Sequence, residues 1–201
     1  MPKLLNKILS TLTLRKSTKA ENFIFIHINK TAGSSIEAAL SLPLEHKTAQ
    51  EKIEDIGIKQ WNDSFTFTTV RNPWDKVVSH YHYRVKTNQT DLGDNPICFK
   101  SWVRKAYGEK DPFYYDKPKM FMPQKDWICD DKGEIIVNFI CRFEHLQEDF
   151  KSLCKQLGVE ATLPHLKATK RSQYQHYYDS ETRKIIEEWF RKDIDTFDYE
   201  F

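Results

Sequence analysis

Phe23-Ile-Phe-Ile-His-Ile-Asn-Lys-Thr-Ala-Gly-Ser-Ser-Ile-Glu-Ala-Ala-Leu40 carries the clearest organisation in the chain. The run Phe23–Ile28 is apolar except for His27 and reads as a buried strand. Asn29 to Ser35 is a loop of small and hydroxyl residues with one lysine, and Ile36 to Leu40 opens a helix. A strand, a tight loop and a helix in that order gather backbone N–H groups, hydroxyls and the Lys30 ammonium around one point. That point lies at the positive end of a helix dipole and suits an anion such as a phosphate. The loop is not the ATPase pattern G-x-x-x-x-G-K-[ST], because Lys30 comes before Gly33, and a G-x-G-x-x-G run is absent. In isolation, a structural turn of small residues would read the same way.

Two further apolar runs follow: Ser64-Phe-Thr-Phe-Thr-Thr-Val70 and Glu134-Ile-Ile-Val-Asn-Phe-Ile140. Each is followed by a helical pattern, so the expected fold class is α/β, a central parallel sheet flanked by helices. After the third run, Phe143, Leu146, Phe150, Leu153 and Leu157 make one helical stripe that Gly158 can end. A last helix is expected from Asp179 or Ser180, burying Ile185, Ile186, Trp189 and Phe190. Between Thr87 and Trp127 prolines and glycines break the pattern. One helix is expected near Phe99–Tyr107 within a long irregular insertion. Its aromatics Trp102, Tyr107, Phe113, Tyr114, Tyr115 and Phe121 would suit the faces of a sugar ring, with a core role for half of them the alternative.

The second run ends in Val70-Arg-Asn-Pro-Trp-Asp-Lys-Val-Val-Ser79. Arg71 stands at the carboxyl end of a strand, Asn72 can cap the next helix, and Pro73 suits its first turn. Ligands of open parallel sheets sit at the carboxyl ends of strands. Arg71 and the first loop therefore line one edge. Ser79 lies about two turns into the helix behind them, and an arginine fork with a serine hydroxyl makes a second anion site.

Here the chain resembles a family. Phe25 to Ser35 is similar to the 5′-phosphosulfate loop of sulfotransferases that use PAPS (3′-phosphoadenosine 5′-phosphosulfate), and Val70 to Ser79 to their 3′-phosphate motif. The likeness is to the carbohydrate-type branch, which includes many bacterial proteins. It continues through Arg142-Phe-Glu-His-Leu-Gln-Glu-Asp-Phe150, Leu163-Pro-His-Leu166, Tyr177-Tyr-Asp179 and the stretch 193–201, covering roughly residues 22–201. Asn29 departs from the proline common before the lysine, which alters loop stiffness more than chemistry. The resemblance implies a P-loop-like, PAPS-binding fold and a cytoplasmic, bacterial enzyme. It implies sulfonate transfer to a hydroxyl of a carbohydrate or glycolipid acceptor, with PAP as product.

Position by position, the resemblance implies that Lys30 contacts the oxygen bridging phosphate and sulfonate and stabilises the leaving phosphate. Thr31, Ala32, Gly33, Ser34 and Ser35 would hold the 5′-phosphate through N–H and hydroxyl groups, and Arg71 and Ser79 the 3′-phosphate. The segment 167–174, with Lys170, Arg171 and Tyr174, matches a basic loop that closes over the cofactor; a solvated charge run is the alternative. Transfer needs a base. His46, in Glu45-His-Lys-Thr-Ala-Gln50, resembles a His-x-Thr-Ala segment of the bacterial members, and Glu37 is the alternative base. His27 reads as a core residue or a sheet-edge hydrogen bonder. A phosphotransferase of nucleotide-kinase type and a non-catalytic PAP- or glycan-binding protein are the rival readings.

The bulk numbers fit one domain over 22–201, with 87–127 as the acceptor-binding insertion. A net charge of +2 over 201 residues is too near neutral for a nucleic-acid binder on electrostatic grounds. Four cysteines without C-x-x-C spacing read as reduced thiols of a cytoplasmic protein. No metal site is expected: His80 and His82 stand about 200° apart on a helix and face different ways. Residues 1–21 mix leucines with lysines, too interrupted for a membrane span; a short segment packing on the domain or fraying is the expectation, with peripheral membrane contact the alternative.

Overall fold

In the computed structural model of the chain, residues 22–164 and 172–201 are described. The basic segment expected over 1–21, and Lys170 and Arg171, lie outside them. Three strands, β1 (Phe23–Ile26), β2 (Phe65–Val70) and β3 (Phe139–Arg142), form one parallel sheet in sequence order. The register places Phe25 beside Phe67 and Phe67 beside Phe139, with the first two rings stacked 5.0 Å apart.

The two faces of the sheet separate by alternation, as a period of two requires. Phe25, Phe67 and Cys141 meet Ile36 of α1 (Gly33–Leu40) and Phe150, Leu153 and Leu157 of α7 (Leu146–Leu157). Ile24, Ile26 and Val70 face the other way. They contact Ala49 and Ile53 of α2 (Ala49–Ile56), Trp61 of α3 (Ile58–Asn62), and Trp127. Each large side chain fully buried in these layers contributes about 2–3 kcal/mol. Gly158 ends α7 in the left-handed conformation, as expected.

The third strand sits further along the chain than its hydropathy suggests. The run expected over 134–140 meets β2 only from Asn138, whose N–H donates to the Thr66 carbonyl, and the ladder proper starts at Phe139. Upstream, Asp130 accepts the backbone N–H groups of Lys132 and Glu134 on Oδ1 and turns the chain at Gly133 (φ 81°). Ile135 then bridges antiparallel to Cys129. Ile135 and Val137 are apolar because they cover the second face of the sheet, not because they extend it. β1 likewise stops at Ile26, two residues before its apolar run ends.

The third core surrounds α4 (Pro73–Lys86). Against it lie α5 (Phe99–Val103), which continues in π-type turns to Glu109, α6 (Pro118–Phe121), and α8 (Ser180–Trp189). Phe190 closes this core and starts α9 (Arg191–Phe197). The helix expected near 99–107 and the last helix capped by Asp179 are therefore present. Most of the insertion's aromatics serve the core: Trp102, Tyr107 and Phe121 are buried, Tyr114 and Tyr115 half-buried, and Phe113 exposed. The four cysteines are unpaired, Cys141 and Cys154 buried. Among the described residues no helix is long and apolar enough to cross a membrane.

Two buried histidines set an acid limit on this fold. His27 is pushed down to about 3, first by burial and then by His46 and Lys30. His80, between Trp102 and Phe121, is pushed well below its ordinary 6.5, by burial and then by Lys76 and Arg84. Both rings are neutral when folded and gain a proton on unfolding, so their stabilisation is present above 6.5 and lost as pH falls towards their folded values. Glu37 and Asp193, raised by burial, act in the opposite sense. The urea midpoint is expected to fall between about pH 7.5 and about pH 5.5, and less so in His80→Phe. Equal slopes in the two proteins would contradict the assignment to His80.

Candidate functional site

The chain leaves β1 at His27 and turns through Lys30 (φ 66°) and Ala32 (φ 70°), both in the left-handed region. Such residues cost about 1 kcal/mol or more each and persist where the surroundings over-determine them. The Thr31 hydroxyl donates to the Ile28 carbonyl at 2.8 Å, which closes the turn. Gly33 is required for close approach: a Cβ there would stand 2.0 Å from His27 Cδ2. α1 starts with no side-chain cap, whereas α2, α4 and α8 are capped by Thr48, Asn72 and Asp179. In its first turn Ser35 Oγ is buried with no hydrogen-bond partner. An uncapped N-terminus with an unsatisfied buried hydroxyl fits an anionic oxygen.

β2 delivers the second half of the site. Gln124 pairs with the Arg71 backbone on both sides, Oε1 accepting from Arg71 N and Nε2 donating to Arg71 O, each at 2.8 Å. Gln124 is itself fixed by the Asp193 carboxylate, which accepts from its backbone N–H. The Arg71 guanidinium donates to Asp75 Oδ2 through Nε and Nη2 at 2.8 and 2.6 Å and lies over the Phe143 ring. Its Nη1 donates to the Lys30 carbonyl at 3.0 Å. The two motifs recognised separately in the sequence are thus joined by a hydrogen bond at the carboxyl edge of the sheet.

α4 begins as expected. Asn72 Oδ1 accepts from Trp74 N and Asp75 N, a cap worth about 1 kcal/mol. Asn72 Nδ2 donates to the Glu200 carbonyl and to the Tyr174 hydroxyl, at 2.7 and 3.3 Å, so the end of the described chain and Tyr174 both stand over this helix start. Asp75, half-buried Ser79 and exposed Tyr83 follow at intervals of four, one stripe on α4. Lys30 Nζ lies 4.1 Å from the centroid of the Tyr83 ring. The lysine therefore reaches from the loop to the face of α4 that carries Ser79.

The two candidate bases are placed differently. His46 is half-buried, and its Nδ1 donates to the His27 carbonyl at 3.0 Å. A carbonyl only accepts, so in the neutral ring Nε2 carries the lone pair that can take a proton. Glu37 is buried at 5% exposure, its Oε1 2.7 Å from His27 Nδ1. Burial raises this carboxyl, against the Glu45 backbone N–H, which lowers it. The contact between His27 and Glu37 has no counterpart in the sequence reading. His27 Nδ1 meets a carboxylate ten residues on, for which the local pattern offers no sign.

The family described as "Sulfotransferase family" matches this chain over residues 16–200. A protein of Archaeoglobus fulgidus described as uncharacterized is 28% identical over 109 residues, which span 54% of this chain and 79% of that protein. Among solved structures, a sulfotransferase from Alicyclobacillus acidocaldarius is 15% identical, with a TM-score of 0.48 over 87% of this chain and 92% of its own. A mouse sulfotransferase complexed with PAP is 14% identical, with a TM-score of 0.46 over 90% of this chain and 86% of its own.

Proposed function

The chain belongs to the sulfotransferase family, and on that premise we propose that it moves the sulfonate group of PAPS to a hydroxyl of a carbohydrate or glycolipid, releasing PAP. The observation that carries the reading is the hydrogen bond from Arg71 Nη1 to the Lys30 carbonyl, which joins the loop after β1 to the start of α4, the two elements this reading assigns to the donor's phosphates. A donor with phosphates at both ends of one nucleoside needs such a pair. The residues present fit it: the uncapped start of α1 and the orphaned Ser35 hydroxyl suit the 5′-phosphate. Arg71, just before α4, and Ser79, in the middle of the α4 stripe, suit the 3′-phosphate.

In this reading the acceptor oxygen attacks sulfur as the bond from sulfur to the bridging oxygen breaks. The electron pair of that bond goes to the 5′-phosphate of PAP, beside Lys30, and the acceptor proton goes to His46 Nε2. Thr31 contributes its backbone N–H, its hydroxyl proton being spent on Ile28. The acceptor approaches over Tyr83, exposed and under the Lys30 ammonium, and Phe113 of the insertion is exposed as well. Calorimetry separates this reading from a kinase-type one. PAP is expected to bind in the micromolar range, about −8 kcal/mol, and ATP with magnesium far more weakly. The reverse preference would overturn the assignment. Binding of PAP without transfer of labelled sulfate to any of a broad saccharide panel would favour a binding protein.

A further inference from the structure

His27 is joined on three sides to parts of the site that must act together. Its Nδ1 donates to Glu37 Oε1 at 2.7 Å. Its ring fills the space that the missing Cβ of Gly33 leaves in the phosphate loop. Its carbonyl accepts from His46 Nδ1 at 3.0 Å, and the two rings lie 4.2 Å apart between centroids. Neither His27 nor Glu37 is open to a substrate, at 4% and 5% exposure. A buried, paired acid of this kind acts through another residue.

We propose that the Glu37–His27 pair positions the transfer machinery: it holds the His27 carbonyl where His46 Nδ1–H binds, so that His46 Nε2 is the nitrogen that takes the acceptor proton. The same wedge fixes the base against the phosphate loop, so that the proton acceptor and the 5′-phosphate cradle keep one spacing. This rests on the sulfonate-transfer reading above. The ring of His27 stays neutral at working pH, because burial, His46 and Lys30 all oppose a charge on it. It therefore adds no cation beside Lys30. Lys30, His46 and Glu45 are the charged or titratable groups that bear on the pair. Glu37 is thus a positioning residue rather than the base.

Steady-state transfer from labelled PAPS, PAP calorimetry and a pH profile test this. In Glu37→Ala, kcat is expected to fall on the order of 10- to 100-fold, since a misplacement of about 1 Å costs that much. PAP affinity should change by no more than about 3-fold, and the pH profile of kcat/KM should change, because the His27 carbonyl that His46 Nδ1 binds is no longer held in place. Glu37→Gln, whose amide oxygen still accepts from Nδ1–H, should recover transfer to within about 5-fold of wild type. A Glu37→Gln protein as inactive as Glu37→Ala would make the carboxylate itself the base and overturn the proposal. So would a Glu37→Ala protein with unaltered kcat and pH profile. If the alanine variant fails to fold, nitrogen NMR of the wild-type His46 ring decides: the Nδ1–H tautomer is expected, and a dominant Nε2–H tautomer refutes the pair's role. A wild-type protein that neither binds PAP nor transfers sulfate overturns both readings, whereas contrary variants in an active wild type overturn this one alone.

Discussion

Lys30→Ala is expected to lose transfer of labelled sulfate from PAPS by about 1,000-fold while keeping its fold. The ammonium reaches from the loop to the Tyr83 ring, where a leaving phosphate would build up charge. Removal of one preorganised group from such a position costs roughly 100- to 1,000-fold in kcat. Stability should change little. The backbone turn at position 30 is held by the Lys30 carbonyl, which Arg71 binds, and by the Thr31 hydroxyl. An alanine at φ 66° is strained no more than the lysine it replaces. Circular dichroism melts and PAP calorimetry on the same preparation separate chemistry from folding. Lys30→Arg is expected to restore only part of the rate, because a planar fork does not occupy the place of a compact ammonium. Undiminished transfer by Lys30→Ala would sink the sulfotransferase mechanism.

What the sequence made legible is what short-range chemistry decides. The strand, loop and helix at 23–40 are readable because a buried run gives way to small residues and then to helical spacing. Asn72-Pro73 and Asp179-Ser180 are readable because capping residues act on N–H groups two or three positions on. The third strand was misplaced because Ile135 and Val137 are as apolar as strand residues. Only the turn at Asp130 and Gly133, and the pairing of Asn138 with Thr66, show where the sheet begins. Local periodicity does not separate a run that lies in a sheet from one that covers it.

The same limit applies to the site. Lys30 and Arg71 were singled out by type and motif, and they meet. The clamp that holds them was not visible, because Gln124 reaches Arg71 across 53 positions and its amide carries no local signal. His27 read as interior, and it is. Its importance comes from Glu37, Gly33 and His46 converging on one ring. The insertion's aromatics suit either a sugar wall or, for half of them, a core role; Trp102, Tyr107 and Phe121 take the core role against α4.

Arg71→Ala is the second large effect, and it differs in kind. Arg71 joins the loop to α4 through the Lys30 carbonyl and Asp75, and in the proposed mechanism it also meets the 3′-phosphate. Truncation of a buried, hydrogen-bonded charge costs about 2–5 kcal/mol in binding, so PAP affinity is expected to fall by about 100-fold. The backbone stays in place, because Gln124 grips the main chain of residue 71 and not its side chain. Arg71→Lys keeps the charge but not the fork that serves Asp75 and Lys30 together, and should fall between alanine and wild type. A double-mutant cycle isolates the joint. If Arg71 acts on catalysis partly by holding the Lys30 carbonyl, the losses in kcat/KM from Lys30→Ala and Arg71→Ala will not add. The shortfall should be about 1 kcal/mol or more. Strict additivity, or PAP binding by Arg71→Ala at wild-type affinity, would mean that the bond between the two motifs shapes the fold without shaping the reaction.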